Sequence, residues 1–189
     1  MSELAELQAE AAACTRCPLA AGRTQVVFGE GADDADLLVV GEAPGRDEDR
    51  QGRPFVGRSG QLLDRLLRQE AGVERSEIYI ANVIKCRPPD NRDPRPVEIA
   101  SCRPWLEAQV RLISPRVVLT LGNFSTKLLL DTTEGIAKTR GRAYPFGDGG
   151  TVLVPTFHPA AALRGGGEVL ARMRADFVRA KRMLAGVGP

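Results

Sequence analysis

The chain has 189 residues, one histidine, four cysteines, and 26 Lys and Arg against 24 Asp and Glu, for a formal charge of +2. That length suits one compact domain spanning 1–189 with a sizeable core, and the single histidine excludes any multi-histidine metal site. No run reaches the ~18 consecutive apolar residues of a membrane span, and residues 1–13 carry acidic side chains without a basic leader, so neither a membrane nor secretion is expected.

Residues 2–13 predict an N-terminal helix. Short aliphatic runs follow at 37–40, 78–84, 117–121 and 152–154, each too short for a helix and too continuous for a one-faced strand. Between them lie helical patterns. Residues 59–69 put Leu62, Leu63, Leu66 and Leu67 on one face, 96–112 open on prolines and carry Ile99, Trp105, Leu106 and Val110, and 123–130 and 168–184 complete the set. Strands alternating with helices imply an α/β fold with a parallel sheet covered on both faces. Ligands of such sheets bind beyond the carboxyl ends of the strands, which selects the loops after Val40, Ile80 and Val154.

Those loops are chemically distinctive. Gly41-Glu42-Ala43-Pro44-Gly45 allows close backbone approach to a ligand but lacks the Gly-Lys-Ser/Thr ending of a phosphate loop. Residues 46–60 read as a long glycine-rich loop holding one aromatic, Phe55. His158 follows the last strand and is stiffened by Pro159, and any step needing an imidazole must use it. Cys14-Thr-Arg-Cys17 with the distant Cys86 and Cys102 suits either zinc or an iron–sulfur cluster. In the reducing cytoplasm expected for this chain, metal is favoured over disulfides. The stretch 163–184 is rich in arginine and reads either as a solvated helix face or as a phosphate-contacting surface.

The ordered set of Cys14-x-x-Cys17, Gly41-Glu42-Ala43-Pro44-Gly45, Gly52-Arg53-Pro54-Phe55-Val56-Gly57, Asn82-Val83-Ile84-Lys85-Cys86-Arg87-Pro88-Pro89, Asn91-Arg92, Cys102 and His158-Pro159 to Leu163-Arg164 resembles the iron–sulfur, or family 4, uracil-DNA glycosylases. The resemblance implies a three-layer α/β/α fold around a four-stranded parallel sheet. It implies a [4Fe–4S] cluster on Cys14, Cys17, Cys86 and Cys102, and hydrolysis of the uracil N-glycosidic bond by base flipping during DNA repair. Phe55 would stack on the flipped base, Asn82 would read its edge, and His158, with backbone near Glu42 and Ala43, would stabilise the charge on O2. Glu42 would stabilise the sugar cation and orient water, and Glu48 would shape the pocket. Lys85, Arg92 and Arg164 would contact phosphates, and Leu163 would fill the gap left by the base. The implied partner is uracil-containing single- and double-stranded DNA, met by a monomer at the nucleoid.

Two departures from the wider superfamily stand out. Ala43 occupies a position where other branches place a water-activating Asp or Asn, and Ala160-Ala161-Ala162 precede the Leu163 wedge. A rival reading, a non-catalytic iron–sulfur or zinc module that binds nucleic acid, accounts for the cysteines and the basic stretch. It leaves Glu42, Phe55, Asn82 and His158 at strand ends unexplained.

Overall fold

A computed structural model describes residues 2–187. Its sheet has four parallel strands at the centre, with β1 (Glu30–Gly31) and β5 (Tyr144–Phe146) added antiparallel at the two edges. The central strands are β2 (Leu37–Gly41), β3 (Tyr79–Asn82), β4 (Val117–Leu121) and β6 (Thr151–Thr156), in the spatial order β3-β2-β4-β6. The expected four-stranded parallel core is therefore present. The edge strands escape sequence reading because each is two or three residues long and carries Gly or Pro, as sheet edges commonly do.

Side chains alternate between the faces of the sheet, and each face has its own core. Leu37, Val39, Ile80, Leu119 and Val154 pack against α3 (Arg58–Leu66) and α7 (Pro159–Leu184) through Leu63, Leu66, Met173 and Phe177. Leu38, Val40, Ala81, Val118 and Leu153 pack against α1 (Glu3–Ala12) and α4 (Pro96–Ile113) through Leu4, Trp105, Leu106 and Ile113. This is the three-layer α/β/α arrangement. The short helices α2 (Arg46–Gln51), α5 (Asn123–Leu130) and α6 (Ile136–Thr139) complete the fold.

Three elements differ from the sequence reading. The stretch 46–60 is not an open loop throughout, since α2 forms inside it. Asp47, Glu48 and Asp49 fill its first turn, where acidic side chains favour the helix dipole, and Gly52 ends it in the left-handed conformation at φ 69°. The helix expected over 59–69 stops being α-helical at Leu66 and continues as a π turn, Leu67–Ala71, ended by Gly72. The last helix begins at Pro159 instead of residue 168. Pro159 takes the first-turn position that suits proline, and only Gly166, at φ 71°, interrupts the helical backbone as a kink.

Register decides where the site lies. Gly41 is level with Asn82, and Leu121 is level with Thr156. The loops leaving all four central strands therefore open on one edge of the sheet.

Candidate active site and cysteine cavity

Glu42, Ala43, Glu48, Phe55, Asn82 and His158 line one cleft at that edge, together with Arg92 and Arg164. The sequence had selected all eight.

Asn82 closes β3 with its side chain buried, and its Oδ1 has no hydrogen-bond partner. Gly41, beside it, must be glycine: a Cβ there would lie 2.4 Å from Asn82 Oδ1 and 2.5 Å from Phe55 Cζ. The missing side chain lets the amide and the ring converge. Phe55 itself sits at φ 51°, a conformation that needs outside support in a non-glycine residue. The support comes from both sides. Arg75 donates to the carbonyls of Pro54 and Phe55 while pairing with Asp64 and Glu30. Glu48 accepts from the backbone N–H of Val56 at 3.0 Å and of Gly57 at 3.1 Å. Glu48 thus shapes the cleft by holding the Phe55 loop.

His158 caps α7, its Nδ1 accepting from the Ala160 N–H at 3.1 Å. That bond places the proton of the neutral ring on Nε2. Its ring lies 5.8 Å from that of Phe55, tilted by 32°. Burial, and then the Arg164 guanidinium, pull its pKa down to about 4 against the opposing charge of Glu48. The imidazole is therefore a neutral donor at physiological pH. Glu42 moves the opposite way: burial, followed by repulsion from Asp93, pushes its carboxyl up to about 7.

All four cysteines line a second cavity, shared with Arg16, Arg23, Lys85 and Trp105. None is in a disulfide. The Lys85 N–H donates to Cys102 Sγ at 3.2 Å, and Arg23 reaches Cys86 Sγ at 3.5 Å. The indole N–H of Trp105 is buried without a partner, and the Arg16 guanidinium lies 4.2 Å from its ring centroid. Burial pushes the Cys86 thiol up to about 11 and the Cys102 thiol in the same direction. These sulfurs hold negative charge only with a cation beside them.

The uracil DNA glycosylase superfamily profile matches residues 28–184 of this chain. The type-4 uracil-DNA glycosylase of Thermotoga maritima is 47% identical over 161 residues, covering 85% of this chain and 83% of that one. That of Sulfurisphaera tokodaii is 43% identical over 169 residues, covering 86% and 77%. The chain belongs to the type-4 uracil-DNA glycosylases. A type-5 uracil-DNA glycosylase of Mycobacterium leprae is more distant, 29% identical with 96% of each chain covered.

One residue of this type-4 glycosylase contradicts the sequence reading outright. Lys85 was expected on the DNA surface, yet it is 1% exposed and its Nζ donates to the Asn82 carbonyl and to Gln109 Oε1. It cannot reach a phosphate. Arg87, two residues on, does line the cleft. Arg92 lines it too, but its guanidinium is paired at both nitrogens with the buried Glu98. Arg164 and Leu163 are exposed at the mouth-side end of α7. Beyond the Gly166 kink two of the five basic side chains are ion-paired, Arg172 with Glu168 and Arg174 with Glu70. Asp93, which raises Glu42, was missed because its effect arises from a fold contact between residues 51 positions apart, which no local motif reports.

Proposed function

We propose that this protein excises uracil from single- and double-stranded DNA by hydrolysing the bond between uracil N1 and the deoxyribose C1′, leaving an abasic site for base excision repair. The observation that carries this reading is the buried Asn82 amide, its Oδ1 unpartnered, lining one cleft with Phe55 and His158. A base inside a duplex is out of reach, so it is flipped into the cleft and stacked on Phe55. Uracil donates from N3–H to Asn82 Oδ1 and accepts at O4 from the amide N–H. Cytosine presents the reverse pattern, and the buried polar group it leaves unpaired costs ~1–3 kcal/mol.

As the C1′–N1 bond breaks, its electron pair stays with the base and negative charge spreads to O2. The neutral His158 Nε2–H donates to O2, with the backbone at Ala43 alongside. Glu42, ionised, faces the positive sugar and holds the water whose oxygen adds to C1′, taking up its proton. Arg164 and Arg92 contact the flanking phosphates, and Leu163 occupies the space the base leaves. The protein acts as a monomer at the nucleoid. No helix among the described residues is long and apolar enough to cross a membrane.

Cys14, Cys17, Cys86 and Cys102 would hold a [4Fe–4S] cluster. The donor set fits it: four sulfurs face one cavity, with two N–H groups already on them and the unpartnered Trp105 N–H at its wall. Among the described residues no three His, Cys, Asp or Glu side chains are grouped to hold a single metal ion. The cluster would tie the N-terminal segment to the 82–86 turn and to α4, and hydrolysis moves no electrons through it. Replacing any of the four cysteines with Ala should abolish the visible absorption of the purified protein and lower its melting temperature. Colourless protein carrying stoichiometric zinc after anaerobic purification would overturn the iron assignment.

Asn82→Asp tests the carrying observation. A protonated carboxyl can donate to cytosine N3 while its other oxygen accepts from N4–H, so the variant should lose uracil excision and gain some release of cytosine. Single-turnover kinetics on uracil- and cytosine-containing strands measure both. Unchanged base choice in this variant would remove Asn82 from recognition.

A further inference from the structure

The buried Lys85 has no place in the mechanism so far, and its cost calls for a reason. Lysine is almost never fully buried without a counter-charge, yet no carboxylate pairs with Lys85 among the described residues. Its Nζ is held by neutral acceptors, the Asn82 carbonyl at 2.9 Å and Gln109 Oε1, and lies 5.7 Å from the Phe28 ring centroid. An apolar residue of that length would fill the space at lower cost in solvation. What the ammonium contributes is a rigid link between particular atoms.

Those atoms belong to the turn that follows β3. Asn82 begins it and Cys86 ends it. One side of the turn is pinned by backbone bonds, Val83 N–H to the Gly41 carbonyl at 3.0 Å and Ile84 N–H to the Glu42 carbonyl at 3.1 Å. Lys85 secures the rest. Its N–H donates to Cys102 Sγ, its carbonyl accepts from Val27 N–H at 2.8 Å, and its side chain folds back onto the carbonyl of Asn82. Gln109 extends the link, donating to the Phe28 carbonyl at 2.9 Å. At the start of this turn the Asn82 amide oxygen is buried without a hydrogen-bond partner, and Asn82 lines the cleft.

We propose that Lys85 is a positioning residue for base recognition: it fixes the backbone of Asn82 to the cysteine cavity, so that the amide reading the base and the wall holding the cluster move as one unit. The proposal rests on the excision reading above and assigns a role to a residue outside the cleft. Side chains that act on the reacting base must be held to a fraction of an ångström, and a misplacement of ~1 Å can cost about a hundredfold in rate.

Lys85→Met tests it in the cluster-loaded protein, assayed below the melting temperature of each variant. Single-turnover uracil release is expected to fall roughly 10- to 100-fold, and inhibition by added free uracil should weaken in parallel. Iron content should stay at the wild-type level, and affinity for an undamaged single-stranded oligonucleotide should stay within about twofold, since a residue off the surface contributes no phosphate contact. Gln109→Met, which loosens the link while leaving the Asn82 carbonyl its donor, should show the same pattern with a smaller fall, and it decides the matter if Lys85→Met does not fold. A purely structural residue would lower the melting temperature and leave free-uracil affinity alone; that result in either folded, iron-loaded variant overturns the proposal. Weakened oligonucleotide binding with normal single-turnover release would overturn it as well. If wild-type protein releases no uracil the excision reading fails, whereas variants matching an active wild type sink only the role of Lys85.

Discussion

His158→Ala is expected to slow single-turnover uracil release by roughly 10²–10³-fold, the usual cost of removing one donor aimed at developing negative charge. Base choice should hardly change. O2 is present on uracil and cytosine alike, so a donor there stabilises the leaving group without reading which base it is. The structure makes the donor neutral. Nδ1 is occupied by the Ala160 N–H, and burial with Arg164 holds the ring near a pKa of about 4. A neutral donor stabilises the departing anion without transferring a proton to it, so His158→Ala should lower the rate at every pH without changing the shape of the pH–rate profile. Phe55→Ala offers the contrast: it should weaken capture of the flipped base by the ~1–3 kcal/mol typical of base–aromatic stacking. A His158→Ala enzyme with wild-type single-turnover rates would remove this histidine from the chemistry.

Glu42→Gln should be the second large effect, a loss on the order of 10²–10⁴-fold if the carboxylate positions and deprotonates the water. The pH dependence makes this assignment specific. The working form is the ionised one and its pKa is about 7, so the wild-type rate should climb with pH through neutrality and level off above it. Asp93→Asn removes a repulsion that keeps Glu42 protonated, so the climb should move to lower pH; Glu42→Gln should flatten it. Stability should run the other way. The folded state binds a proton on Glu42 between the unfolded value near 4.5 and about 7, so Glu42 makes the protein less stable as pH rises through that window. Glu42→Gln should therefore unfold later than wild type at pH 8, by on the order of 2 kcal/mol after allowance for solvent access. A variant that is both inactive and more stable is the expected mark of a carboxylate buried for function. A rate that rises with pH in Glu42→Gln as it does in wild type would assign the limb to another group.

Much of this site is legible in the sequence because parallel strands advertise themselves. The runs at 37–40 and 117–121 are buried at every position and apolar at all but Thr120, since both faces are covered, and their carboxyl ends point to the cleft. Glu42, Asn82 and His158 could be placed for that reason. The parts that were not legible depend on neighbours distant in the chain. The two-residue strand β1 exists only because β3 offers it an edge. The helix α2 forms where glycines suggested an open loop, because local acidic residues and a left-handed Gly52 suffice for one turn and a half. Lys85 misleads most instructively. Lysine beside arginines in a likeness to a DNA-binding family reads as a phosphate contact, and the inward turn of 82–86 that buries it is set by Cys102 and Gln109, 17 and 24 residues away.

Release of the free base tests the central claim most directly. Cluster-loaded protein incubated with oligonucleotides carrying a single uracil, as single strand and as duplex, should yield free uracil and an alkali-labile abasic site in equal amounts. Matched strands with thymine or cytosine at that position should yield nothing. Iron-loaded, folded protein that leaves the uracil strand intact, or that cuts the backbone without freeing the base, would contradict the account.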